Sequence, residues 1–337
     1  MNIGDRILLA HGSGGKLSHE LVTGVMAPVF DNSILAEMHD GAFLNIKGVQ
    51  LAFTTDSYVV KPRFFPGGDI GKLAVCGTVN DLAVSGAEPL YLSAGFVLEE
   101  GLALAELERI VASMGLAAAE AGVQIVTGDT KVVERGAIDG IYINTAGIGA
   151  VFPGVHISAG RVKPGQDVIV SGCLGDHAIA VMSERHGLTL PAPVVSDCAP
   201  LAGMVKDILK IAPQVPMLRD PTRGGLATAL NEIALQTGMG ILLEETAIPV
   251  RPEIKAVCDI LGFDPLYLAN EGKVIVLVEK QDTEKVLAAM KSHPYGLHSC
   301  VIGAVTARPA GQVGIKTAIG GTRMLDMLTG EQLPRIC

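Results

Sequence analysis

Every apolar stretch in this chain is cut by Gly, Pro or a charged residue after a few positions. That interruption rules out a continuous membrane helix, which needs ~18 apolar residues in a row. It also rules out a long coiled coil, and leaves many short elements joined by tight turns. Glycine supplies 41 of the 337 residues, well above the usual ~7%, while aromatics make up 4% and Trp is absent. The interior is therefore built from small and branched side chains that let elements approach closely. A mean hydropathy of +0.42 reflects that interior and not a bilayer. The opening MNIGDRILLAHGSGG has Asp5 and only a brief apolar run, so it does not read as a secretory signal.

A net charge of −9 with no basic cluster argues against nucleic acid as a partner. The six cysteines include no CxxC pair, a pattern of reduced cytoplasmic thiols and not of a disulfide framework. A length of 337 residues points to two domains. VQLAFTTD reads as a strand ending at Asp56, and DIGKLAVCGTVNDLAVSG as a helix capped by Asp69 and stopped by Gly86. A second helix runs from about Ala103 to Ala121, followed by VQIVTGDTK and IYINTAGIGAV as strands. Turn residues at 152–165 mark a boundary. Beyond it QDVIVSG, VPMLRD, MGILLEE and KVIVLVE read as strands, with helices over GDHAIAVMSERHG, TRGGLATALNEIALQTG and DTEKVLAAMKSH. Strands and helices mix without strict alternation, which predicts two α+β domains. The expected division is an arm over 1–34, a first domain over 35–152, a larger second domain over 153–325 and a flexible tail over 326–337.

Four stretches can carry chemistry. In HGSGGK, residues Gly12, Ser13, Gly14, Gly15 and Lys16 offer backbone N–H groups to an anion, although a glycine-rich turn serves equally as a flexible arm. Asp56, Asp81 and Asp129 stand where structure does not call for them. Asp81 falls on the apolar face of its helix with Ile70, Ala74, Gly77 and Val84, where an unpaired carboxylate costs several kcal/mol and a cation such as Mg²⁺ would remove the cost. Asp220 in RDPTRGG is a fourth candidate, with turn capping the plain alternative for it and for Asp129. Lys131 in TGDTK can neutralise phosphoryl charge or simply sit at a strand end. Glu271 in ANEGK becomes a general base if its pKa is raised. Of the eight histidines no two are spaced i,i+4, and His11 and His177, both beside glycines, are the two to examine.

The chain closes on PRIC, with a thiol at its last residue, Cys337. It is not a prenylation signal, which places the cysteine four residues from the end. Together HGSGGK, TTDSYVV, FPGGDIGKLAVCGTVNDLAVSGA, VTGDTKVV, RDPTRGGL, ANEGK and PRIC resemble the HypE-type hydrogenase maturation proteins over nearly the whole chain. That family is related to aminoimidazole ribonucleotide synthetase, selenophosphate synthetase and thiamine-phosphate kinase. The resemblance implies an ATP-binding fold of two α+β domains that dimerises through its N-terminal sheets. It implies that a HypF-type carbamoyltransferase loads Cys337 and that the chain spends ATP to dehydrate the S-carboxamide to an S-cyanate. The cyanide is then passed to iron on a HypC–HypD complex. Asp56, Asp81 and Asp129, with Asp220, match the acidic metal and nucleotide positions. Asn80, Thr130 and residues 12–16 match cofactor-binding positions, and Lys131 and Glu271 would act on the carbamoyl oxygen and its amide proton. The tail from Glu331 to Cys337, extended at ~3.3 Å per residue, reaches roughly 23 Å, with Pro334 stiffening it. The alternatives are a superfamily enzyme acting on a free small molecule, or a non-catalytic iron-binding scaffold.

Overall fold

The structure is a computed structural model that describes residues 6–188, 190, 192–330, 333 and 335–337. Glu331, where the expected tether begins, and Pro334 lie outside the described residues. Near the N-terminus a short helix α1 (Lys16–Leu21) follows a single turn at Leu9–Gly12.

The first domain contains β1 (Ala42–Ile46), β2 (Val49–Tyr58), the two-residue strands β3 (Phe64–Phe65) and β4 (Gly68–Asp69), α2 (Ile70–Val84), β5 (Ala87–Glu99), α3 (Leu104–Ala121), β6 (Gln124–Val133) and β7 (Ile141–Val151). Its main sheet has the order β1-β2-β7-β5-β6. All pairings are antiparallel except β5 with β6, which α3 connects as a crossover. The side chains alternate as the pleat requires: Ala52, Thr54, Tyr58, Ile143 and Thr145 are buried, while Phe53, Thr55, Ser57 and Asn144 lie on the opposite, uncovered face.

Helix α2 lies on the buried face. The Asp69 carboxylate accepts the N–H groups of Gly71 (2.8 Å) and Lys72 (3.0 Å), and Gly86 at φ +74° follows its end, so the cap and the stop both act as expected. Nearly every residue of α2 is buried, because the helix also packs against elements of the second domain.

The second domain contains β8 (Asp167–Val170), α4 (Asp176–His186), α5 (Ala202–Ile211), β9 (Met217–Arg219), α6 (Gly225–Thr237), β10 (Gly240–Glu244), α7 (Pro252–Leu261), β11 (Ile275–Val278), α8 (Thr283–Ser292), β12 (Cys300–Thr306), β13 (Val313–Lys316) and β14 (Thr322–Leu325). Its sheet runs β14-β13-β10-β12-β8-β11-β9. One apolar core fills this domain, and a second joins α2 and α3 to residues of α4, α7 and the chain end. Strand β5 and helices α5 and α7 lie outside the elements expected from the sequence, although each helix keeps an apolar face, with Met204, Val205, Ile208 and Leu209 buried in α5 and Ile254, Val257 and Cys258 in α7. His177 is the second residue of α4, within the helix expected over GDHAIAVMSERHG.

Candidate active site

The last three residues are docked. The backbone N–H of Lys61 donates to the Arg335 carbonyl (3.1 Å), and that of Val59 to a terminal oxygen of Cys337 (3.2 Å). This alternate-residue pairing lays the chain end against the segment that follows β2. Arg335 Nε donates to the Val59 carbonyl (2.9 Å), its guanidinium pairs with Asp139 and lies 5.6 Å from the Tyr142 ring centre. Arg185 Nη2 donates to the Arg335 carbonyl (2.7 Å). Ile336 is 5% exposed and belongs to the core that joins the two domains.

Cys337 thereby faces a cavity of about 170 Å³ lined by Gly12, Ser13, Ser57, Val59, Arg223 and the thiol itself, among others. Ligand pockets usually begin near ~300 Å³, so this space suits a carbamoyl or phosphoryl group and not a whole nucleotide. Burial raises the thiol pKa, while the Arg223 guanidinium pulls it down and Glu271 and Asp56 push it up. The resting group is a thiol and a poor nucleophile, as its place beside the terminal carboxylate also suggests.

Arg223 is the cation the sequence reading passed over. It stands just before α6, preceding Gly224 and Gly225, both at positive φ. Its Nη2 lies 3.7 Å from Asp56 and its Nη1 3.5 Å from the Gly12 carbonyl. The arm fits closely against this loop: a Cβ on Gly14 would overlap Arg223, and one on Gly15 would overlap the Leu328 carbonyl. The Lys16 N–H donates to that same carbonyl (2.8 Å) while its side chain is exposed. An arginine beside paired glycines at a helix start is an anion-binding arrangement, and that was the available signal.

Glu271 is 3% exposed and its Oε1 has no hydrogen-bond partner. Burial raises its pKa well above the usual range, Asp220, Asp197 and Asp56 add to the rise, and Arg223 opposes it. Asp81 accepts from Thr54 Oγ1 at 2.8 Å, and its pKa is raised by burial and then by Asp220, Asp40 and Asp56. Asp220, 7% exposed, is pushed up to about 7 by burial and by Asp40, against the pull of Arg219. Asp40, also passed over, pairs with Arg219 at 3.1 Å but leaves its Oδ2 buried and unpartnered. Crowded carboxylates with an unsatisfied oxygen fit a hard divalent cation. Among the described residues no three acidic, His or Cys side chains converge on one point, so other oxygen ligands would have to complete such a shell.

Two expected groups stand elsewhere. Asn80 Nδ2 donates to the Ala199 carbonyl (3.1 Å) and its Oδ1 accepts from Leu201 N–H (2.8 Å), so its amide is spent joining α2 to the second domain. Asp129, Thr130 and Lys131 lie on edge strand β6, where Asp129 and Lys131 pair with each other at 2.7 Å, both about 70% exposed. The register Ser57–Asn144–Gly95–Asp129 places Asp129 three strand spacings from β2, roughly 14 Å. Asp129 and Lys131 point to the uncovered face, and one chain alone does not bring them to the thiol.

The family models for the AIR synthase related protein match at residues 38–151 (N-terminal domain) and 163–316 (C-terminal domain). The carbamoyl dehydratase HypE of Rhodobacter capsulatus is 54% identical over 339 residues, covering 99% of this chain and 98% of that one. A crystal structure of a HypE–HypF complex aligns with a TM-score of 0.87 at 49% identity, over 91% of this chain and 99% of that one. A crystal structure of HypE in complex with ATP aligns at 0.83 and 51% identity, over 98% and 100%. The chain belongs to the HypE-type hydrogenase maturation proteins, within the AIR synthase-related superfamily.

Proposed function

We propose that this chain performs its family's ATP-dependent carbamoyl dehydration on its own Cys337, supplying the cyanide ligand of the [NiFe]-hydrogenase iron. One observation supports the reading: Cys337 lines a small cavity together with Arg223, and the buried Glu271 carboxylate lies near enough for its charge to act on the thiol. With a carbamoyl group on the sulfur, the amide oxygen attacks the γ-phosphoryl of ATP and displaces ADP, as an amide oxygen must become a phosphate ester before it can leave. Nitrogen loses one proton as the O-phosphoryl intermediate forms. Loss of the second, together with phosphate, leaves S–C≡N. Arg223 balances the negative charge gathering on oxygen. Glu271, whose pKa burial raises well above the usual range, is the group that takes a proton from nitrogen.

Asp56, Asp81 and Asp220 would hold Mg²⁺, which supplies charge neutralisation on the phosphates. Gly12 and Ser13 line the same cavity. HypF is the expected carbamoyl donor, in line with the relative crystallised with it, and the HypC–HypD complex the acceptor. A homodimer is expected because the uncovered face of the first sheet carries Ile46, Val49, Phe53 and Tyr91, each 42–55% exposed. A second copy on that face would also give Asp129 and Lys131 a surface to act upon.

Intact-mass spectrometry with HypF, carbamoyl phosphate and Mg-ATP tests the assignment. The expected result is a Cys337 carbamoyl adduct that loses one water only when ATP is hydrolysed. Replacing Glu271 by Gln should leave the adduct intact and slow the loss of water at least a hundredfold. An unmodified Cys337 with ATP consumed on a free metabolite would refute the proposal.

A further inference from the structure

His177 is fully buried and engages both ring nitrogens. Nε2 lies 2.8 Å from the Ile336 carbonyl and Nδ1 2.8 Å from Ser196 Oγ. A carbonyl only accepts, so Nε2 carries the proton and donates it to the tail. In the neutral ring Nδ1 is then an acceptor, and Ser196 Oγ–H donates to it. Ser196 is held in turn, because its Oγ accepts the Cys198 N–H (3.0 Å) and its own N–H donates to the Pro66 carbonyl (2.8 Å). The Phe65 ring stands edge-on to the imidazole, with centres 5.3 Å apart. Pro66 belongs to the β3–β4 turn of the first domain, Ser196 to a loop of the second, and Ile336 to the chain end. The imidazole therefore joins three separate parts of the molecule at the residue before the reactive thiol.

We propose that His177 is a positioning residue: its Nε2–H latches the Ile336 carbonyl and so stops the tail where Cys337 lines the cavity beside Arg223. The proposal deepens the dehydratase reading and rests on it for the consequence in turnover. The latch itself is measurable without ATP or partner. When the tail withdraws, Nε2–H loses this acceptor, which disfavours the undocked state.

The experiment is the rate of Cys337 alkylation by iodoacetamide in the isolated full chain, read at the C-terminal peptide by mass spectrometry. His177→Ala should raise the rate about tenfold, the equivalent of one hydrogen bond, and His177→Gln, which keeps a donor amide, should restore much of the protection. Ser196→Ala leaves the imidazole in place but removes the donor that sets its tautomer, and should raise the rate severalfold. It keeps the test decisive if His177→Ala fails to fold. Single-turnover dehydration of pre-carbamoylated protein should slow in His177→Ala and Ser196→Ala, while carbamoyl transfer onto Cys337 is not slowed. An alkylation rate that neither variant changes would overturn the latch. Faster alkylation with unchanged dehydration would overturn the positioning role. Wild-type protein that never dehydrates, with the alkylation series as expected, would sink the dehydratase reading alone and leave the latch standing.

Discussion

At the scale of one residue, Asp220 is a carboxylate whose charged form burial disfavours. Its native pKa of about 7 stands above the ordinary ~3.9 of an unfolded chain. Between those values the native state holds more protons than the unfolded state, so stability falls as pH rises from about 4 to 7 and levels off above. The penalty at high pH is on the order of 4 kcal/mol. Asp220→Asn should therefore raise the melting temperature of the ligand-free protein, by a few degrees at pH 8 and by much less at pH 5. A pH-independent gain in a thermal melt would show that Asp220 is not the titrating group. The sequence exposed this kind of strain at Asp81, whose helical position put a carboxylate on an apolar face. It did not expose Asp40 or Arg223, because short loops have no periodicity to violate.

At the scale of elements, α2 is the part most completely written in local chemistry. Asp69 caps it with two backbone amides, so Asp69→Ala should cost about 1–2 kcal/mol and lower the melting temperature by roughly 2–8 °C. A smaller loss in differential scanning calorimetry would mean that tertiary packing holds the first turn unaided. The chain end behaves as an element too. Ile336, 5% exposed, contributes apolar burial worth roughly 1.5–3 kcal/mol, part of which an undocked tail would forfeit. Ile336→Ser should raise Cys337 alkylation at least tenfold with the global melt nearly unchanged. Equal rates in the two proteins would mean that polar contacts alone dock the tail. Strand β5 escaped the sequence reading because its buried and exposed positions do not alternate simply, whereas α5 and α7 carry an apolar stripe at helical spacing that was available in the sequence.

At the scale of the whole molecule, two junctions decide what the site can do. One lies between the domains, where Asn80 satisfies the buried Leu201 N–H. Asn80→Ala leaves that donor unpaired and should cost about 1–3 kcal/mol in chemical denaturation. The other is the uncovered face of the first sheet, where Phe53, Ile148 and Tyr91 stand in register across three strands. Phe53→Glu should convert a dimer to a monomer in analytical ultracentrifugation. A wild-type chain that sediments as a monomer at micromolar concentration would end the homodimer proposal and with it any route for Asp129 and Lys131 to a second site.

The sequence by itself determined the fold class and the ends of α2, and it singled out the acidic and glycine-rich stretches and the terminal cysteine as candidates for the site. Those features depend on turn chemistry, helical spacing and motif order, all of which act over a few residues. Only the tertiary structure decided that the tail rests docked, that Arg223 shares a cavity with its last residue, that His177 holds the residue before it, and that Asp129 and Lys131 turn away. Each of these depends on which segments far apart in the chain become neighbours, and that is settled by the burial of apolar surface between the two domains.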